Sequence, residues 1–316
     1  MNYEKCTRYF KSSNGINDIA YYVYTPVNGE IKGIVQLAHG MCEYFKRYED
    51  FVNFLCGKGY LVCGNDHLGH GASVNSRDEL GFFAEKNGWR CLVSDMVKLT
   101  EIMKAKCGDM PYYIIGHSMG SLILRTALAK YSFMYDGAVI MDTVSINFGA
   151  DAILALIESV GKAQGKRSRS KLIDRLMFGM SNARIKNPKT QYDWICSDEK
   201  VVAEYAEDPE CTFIFTVQAM YDLVMMIKYV SRKDWAAKLD ADLPVLVLSG
   251  SEDPVGLYGK APREVFERLT AAGSDDVELK IYENMRHEVL NEKGKEEVYS
   301  DIAEWLEHHI SGRIEE

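Results

Sequence analysis

The sequence predicts an α/β fold around a mostly parallel sheet, and three observations carry that prediction. Short runs of β-formers alternate with longer segments whose apolar residues recur at helical spacing. Several of the short runs are continuously apolar, the pattern of strands covered by helices on both faces. The alternation lapses once, over a stretch that reads as helices and loops, and then resumes.

Taken in order, "IAYYVYTP" (19–26) is the first apolar run with strand character, closed by a proline. "GIVQLAHG" (33–40) and "GYLVCGNDH" (59–67) follow, separated by the helical "RYEDFVNFLCGK" (47–58). A longer helix, "GWRCLVSDMVKLTEIMKAKCG" (88–108), leads to the strand "PYYIIGHS" (111–118), and "GAVIMDT" (137–143) is the next. From about residue 145 to 232 no clear strand occurs, and this segment is expected to be an inserted cap. "LPVLVLSGSEDP" (243–254), a helix near 263–272, the strand "VELKIYE" (277–283) and an amphipathic helix at 296–310 complete the pattern. The expected organisation is a core of 1–144 and 233–316 with a cap of 145–232.

Composition limits the function classes. A chain of 47% hydrophobic and 26% charged residues is too apolar for disorder and too interrupted for a membrane span, so a soluble protein is expected. A formal charge of −9 disfavours generalised binding to nucleic acid or anionic membrane. The N-terminal residues lack a signal-peptide core and cleavage site, which makes cytoplasmic residence the expectation. Eight cysteines show no C-x-x-C spacing and are read mostly as reduced core thiols. No metal or cofactor is implied, and no feature specifies an oligomeric state.

"YYIIGHSMGS" (112–121) carries the chemistry. Gly116-His117-Ser118-Met119-Gly120 fits G-x-S-x-G, with a strand before it and a helical pattern after it, the context that gives the motif meaning. A strand-to-helix reversal strains the serine backbone, and side chains two positions to either side would strike neighbouring chain. Glycines 116 and 120 remove them. His117, inside this elbow, is expected to face away from substrate.

A serine hydroxyl needs a base, and the base needs an orienting carboxylate, in the chain order Ser, Asp or Glu, His. Asp253 lies in a loop after an apolar strand, with Glu252 beside it as a competitor. Asp142, after the strand at 137–141, is a second competitor. His287 is the late-loop histidine. His308 and His309 are expected to be solvated in the last turn of the final helix. The oxyanion donors are the backbone N–H groups of Met119, after the nucleophile, and Met41, after the turn at His39-Gly40.

"GNDHLGHG" (64–71) lacks the Lys and Ser/Thr of a phosphate loop, and Asp66, His67 and His70 are read as bracing it rather than binding metal. The basic run "GKRSRSK" (165–171) reads as a solvated face, or as a weak contact with anionic lipid. The cap's apolar residues, among them Phe148, Met177, Phe178, Tyr192, Trp194, Phe213 and Phe215, either pack the cap or line an acyl groove.

Together "HGMCEYFKRYEDF", "DHLGHGAS", "GHSMGS", "GSEDPVG" and "RHEVLNE", in this order over nearly the whole chain, resemble the α/β-hydrolases of the monoacylglycerol lipase and lysophospholipase type, the serine aminopeptidase-like family. The resemblance implies an eight-stranded sheet with a helical cap after the sixth strand. It also implies a Ser118, Asp253, His287 triad, oxyanion donors at Met41 and Met119, and an apolar acyl ester as substrate. Glu43 and Arg47 match the family and are expected to pair. Cys42, Tyr44 and Ser121 depart from its usual glycine, histidine and glycine. Two rival functions follow from the same residues: a peptidase, which needs a cap carboxylate such as Glu158, Asp174 or Glu204 for the substrate ammonium, and a catalytically silent ligand-binding protein.

Overall fold

The computed structural model describes residues 1–145 and 149–314, with side chains to residue 310. Phe148 lies outside the described residues. The strands are β1 (Tyr3–Lys11), β2 (Asp18–Pro26), β3 (Gly33–Ala38), β4 (Tyr60–Asn65), β5 (Tyr112–His117), β6 (Gly137–Met141), β7 (Val245–Gly250) and β8 (Val277–Tyr282). They form one sheet in the order β1-β2-β4-β3-β5-β6-β7-β8. The β1–β2 and β2–β4 pairs are antiparallel, and every pairing from β4 to β8 is parallel. This is the α/β-hydrolase fold.

The five central strands, β3 to β7, are buried along their whole length, which explains their unbroken apolar runs. Helices α1 (Glu49–Gly57) and α9 (Lys295–Ile314) cover one face, where Phe51 and Leu55 meet Tyr299, Trp305 and Leu306. Helices α2 (Gly88–Cys107), α3 (Met119–Tyr131) and α8 (Lys260–Ala271) cover the other.

The strand β1 has no counterpart in the sequence reading, which begins the sheet at residue 19. Only Phe10 of its nine residues is buried. It forms through its backbone ladder to β2, from Tyr3 opposite Pro26 to Lys11 opposite Asp18, and charged side chains guard the open edge. The final helix also runs further than expected, to Ile314, so His308 and His309 are not in its last turn. His308 is exposed, but His309 is not solvated. Its ring lies 2.9 Å from Asp276 Oδ2 and 2.7 Å from the Trp305 carbonyl, because the loop before β8 brings a carboxylate to it.

Between β6 and β7 come α4 (Ala150–Gln164), α5 (Lys171–Phe178), α6 (Glu199–Glu207) and α7 (Val217–Val230). Helix α7 packs on α2, α3 and α4, so the inserted segment includes a core-facing helix. Its two stems meet at one buried side chain. Arg125 donates from Nη1 to the Val144 carbonyl at 2.9 Å and from Nη2 to the Val230 carbonyl at 3.0 Å, with its guanidinium 4.5 Å from the Trp235 ring centre. The basic run also serves the insertion. Arg169 donates to the carbonyls of Asp78, Leu80 and Ile214, and Arg167 pairs with Glu85 at 2.8 Å.

Candidate active site

Ser118 stands alone between the last residue of β5 and the first of α3, with φ 51° and ψ −116°. That strained backbone aims its side chain off the sheet edge while its N–H donates to the Met141 carbonyl at 3.0 Å. The glycines have the steric reason expected of them. A Cβ at Gly116 would lie 2.6 Å from the Gly120 carbonyl oxygen, and one at Gly120 would lie 2.6 Å from the His39 carbonyl oxygen and closer still to that of Ala38. Ser121 places Oγ 2.6 Å from the Ser118 carbonyl and 2.8 Å from Thr143 Oγ1.

His287 Nε2 is 2.9 Å from Ser118 Oγ, and His287 Nδ1 is 2.9 Å from Asp253 Oδ1. Asp253 is fully buried, and its carboxylate also accepts the N–H groups of Val255 at 2.9 Å and Gly256 at 3.0 Å. The tight turn after β7 therefore fixes this carboxylate independently of its contact with His287. The ring of Trp194, from the insertion, lies over His287 with centroids 5.2 Å apart. Of the two competing acids, Glu252 is exposed. Asp142 is buried but accepts the Gly250 N–H at 3.2 Å and lies 3.8 Å from His117, not at the His287 ring. Burial, reinforced by the charge of Asp253, pushes the Asp142 carboxyl up to about 7.

The loop after β3 closes on the nucleophile: a Cβ at Gly40 would come within 3.1 Å of Ser118 Cβ. Met41 follows it. Met119 opens α3, so its N–H has no intrahelical acceptor and sits at the positive end of the helix. Three imidazoles brace this loop. His39 Nδ1 donates to the Gly40 carbonyl at 2.8 Å while Nε2 accepts the His67 N–H at 2.9 Å. His67 Nε2 donates to the His39 carbonyl at 3.1 Å, and His70 Nε2 accepts the Cys42 N–H at 3.3 Å. Each ring serves once as donor and once as acceptor, the pattern of neutral imidazole, and burial pushes all three down, His70 to about 3. Among the described residues no three His, Cys, Asp or Glu side chains are grouped to hold a metal.

Glu43 and Arg47 pair at 3.1 Å, but the bidentate partner of Arg47 is Glu288, at 2.7 Å from each nitrogen. Sequence spacing showed the first contact and not the second, because Glu288 lies 241 residues away. Glu43 itself turns inward to accept the Gly40 N–H. The three cap carboxylates separate clearly. Glu158 and Glu204 are exposed, whereas Asp174, on α5, is half-buried and within electrostatic range of Cys42 and Tyr192. A surface hollow of about 590 Å³ beside the acid and base loops is lined by Arg184, Glu252 and Arg286, and no triad residue borders it.

Residues 29–294 match the family described as serine aminopeptidase, S33. A monoacylglycerol lipase of Mycolicibacterium smegmatis is 29% identical, over 92% of this chain and 94% of the relative. A caffeoylshikimate esterase of Arabidopsis thaliana is 26% identical, over 96% and 85%. A thermostable carboxyl esterase from Bacillus coagulans, solved with glycerol, superposes with a TM-score of 0.91 at 29% identity, over 97% of this chain and 99% of that one. With the match spanning both halves of the sheet and the insertion between them, the chain belongs to the serine aminopeptidase S33 family of α/β-hydrolases.

Proposed function

We propose that the protein is a serine hydrolase of carboxylic esters with an apolar acyl group, such as monoacylglycerols, lysophospholipids or simple esters. One observation carries the reading: Ser118 Oγ, the His287 ring and Asp253 form an unbroken chain of two 2.9 Å hydrogen bonds at the carboxyl edge of the sheet. His287 takes the Ser118 proton as Oγ attacks the ester carbonyl. Asp253 holds the Nδ1–H tautomer and stabilises the imidazolium that forms. The Met41 and Met119 N–H groups receive the developing oxyanion, and His287 returns the proton to the leaving alcohol. Water, activated by the same base, releases the acyl group from Ser118.

The similar lipases and esterases support ester chemistry. A peptidase reading has one observation in its favour, the half-buried Asp174 within electrostatic range of Cys42. A panel of aryl esters of graded chain length, run beside an aminoacyl arylamide, separates the two. Ser118→Ala is expected to lower ester turnover by about six orders of magnitude. A variant as fast as wild type would overturn the proposal, and a Ser118 that resists organophosphonate labelling would favour a silent ligand-binding protein.

The outer face of α5 supports a contact with anionic lipid surfaces. Leu172 and Leu176 are exposed there, beside Lys171 and Arg175, and Met180 is exposed in the turn just beyond the helix. Residues 161–186 hold eight Lys or Arg and one acid, in a chain of net charge −9.

A further inference from the structure

His117 ends β5 directly before the nucleophile and is 5% exposed. Its Nδ1 lies 2.9 Å from Glu43 Oε1, and its Nε2 lies 3.1 Å from the carbonyl oxygen of His287. Both partners are acceptors. A neutral imidazole has one N–H and one lone pair, so either neutral tautomer would aim a lone pair at an oxygen. Tyr48 does not remove the conflict: its hydroxyl lies 2.9 Å from both Nδ1 and Glu43 Oε1, and a Tyr48 O–H turned to Nδ1 would still leave the Glu43 carboxylate oxygen 2.9 Å from that lone pair. The contrast with His39, His67 and His70, each with one donor and one acceptor partner, is direct.

We infer that His117 is a cationic positioning residue, an imidazolium strut that ties the oxyanion loop to the loop of the catalytic base behind the nucleophile. This role rests on the acyl-transfer reading above. Through Glu43 the strut reaches the Gly40 N–H, next to the Met41 donor. Through the other nitrogen it holds the main chain of His287. Ser118 is its covalent neighbour. Arg47 closes a second link around the outside, from Glu43 to Glu288. The groups that face the ring are Glu43, Tyr48, Asp142 at 3.8 Å from Nε2, Glu288, the His39 ring of the loop after β3, and the His287 ring with centroids 5.0 Å apart. Burial pushes the His117 imidazolium down, but the Glu43 carboxylate outweighs it and carries the group up to about 9. Glu43 is held well below the usual carboxylate range despite its burial, chiefly by the charge of His117.

The first test needs no variant. In the full chain with ¹⁵N-labelled histidine, both ring nitrogens of His117 are expected to carry protons at pH 7, and a ring with one unprotonated nitrogen would overturn the inference. The second test is kinetic. His117→Gln keeps a donor on one side only and is expected to lower kcat by about a hundredfold, the cost of misplaced catalytic groups, with KM within a few-fold of wild type. Wild-type kcat is expected to fall as pH rises through about 9, as the strut loses its proton, and the variant is expected to lack that limb. A purely structural histidine would lower the melting temperature without removing the limb. A variant with wild-type kcat and the same limb refutes the role while leaving the triad intact, whereas full activity of Ser118→Ala refutes the triad and leaves the ¹⁵N result standing.

Discussion

Asp253→Ala is the sharpest single test of which carboxylate orients the base. The wild-type side chain accepts the Nδ1–H of His287 and the N–H groups of Val255 and Gly256, all between 2.9 and 3.0 Å. Alanine leaves the imidazole with no partner to fix its tautomer, and in one tautomer Nε2 carries the proton and is unable to accept another from Ser118. It also removes the charge that stabilises imidazolium in the transition state. The expected loss is about 10⁴-fold in kcat, or ~5.4 kcal/mol at ~1.36 kcal/mol per decade, with little change in KM. The two orphaned backbone N–H groups cost about 2–4 kcal/mol of stability, so unfolding is measured alongside turnover of a soluble aryl ester, and rates are normalised to phosphonate-titrated sites. Asp142→Ala and Glu252→Ala are expected to stay within about tenfold of wild type, since neither carboxylate reaches the His287 ring. Activity of Asp253→Ala within tenfold of wild type, with the large loss appearing in Asp142→Ala, would refute the reasoning and move the acid to the end of β6.

Three further outcomes follow from the structure. The raised Asp142 carboxyl holds its proton to a higher pH folded than unfolded, so its contribution to stability is full below about pH 4 and is lost as pH rises through about 7. Urea unfolding across that window is expected to show wild type losing stability relative to Asp142→Asn, and the opposite slope would contradict the assignment. Arg125→Met leaves the Val144 and Val230 carbonyls without their buried donor and is expected to cost about 2–4 kcal/mol by denaturant unfolding; a variant as stable as wild type would show that this side chain does not anchor the insertion. Replacing Leu172, Leu176 and Met180 together with serine is expected to reduce binding to phosphatidylglycerol-containing vesicles at least tenfold while hydrolysis of a soluble ester is unchanged, and undiminished binding would remove α5 as the docking face.

The candidate constellation of Ser118, Asp253 and His287 was legible in the sequence because each part depends on local geometry that leaves a residue-level mark. Gly116 and Gly120 are there because any Cβ would strike main chain, and the Gly- and Pro-flanked loop around Asp253 is there to turn its carboxylate onto backbone donors. The central strands were legible for a related reason, since burial on both faces forces apolar residues at every position. What escaped the sequence reading depends on contacts without local signature. Strand β1 forms by pairing rather than burial. Arg47 spans to Glu288 and Arg125 to Val230, partners fixed only once the sheet has assembled. His117 was expected to point away from substrate; it lies buried between Glu43 and the His287 carbonyl, and its charge state is visible only when both of these partners are seen to be acceptors.

The distribution of strain and charge around Ser118 predicts that the proposed chemistry and its selectivity respond to different parts of this chain. The groups to which the reaction is assigned under the proposed function are buried together: a strained serine backbone, a carboxylate fixed by its own turn, neutral imidazoles under the loop after β3, and links from Glu43 and Arg47 to the His287 loop. None of these groups depends on the outer surface of α5 or on Asp174. The insertion reaches the reacting centre through Trp194 over His287, through the Ile195 carbonyl that accepts the Glu288 N–H at 2.7 Å, and through Phe213 and Phe215 around His70, while Asp174 lies within electrostatic range of Cys42 and Tyr192. Changes in the insertion should therefore shift KM and substrate rank order, whereas changes in the buried links should lower kcat for every substrate alike. An ester panel on Asp174→Asn beside His117→Gln reads that difference directly: a changed rank order in the first and a uniform loss in the second is the expected outcome, and the same uniform loss in both would show that the insertion and the reaction machinery are one mechanical unit.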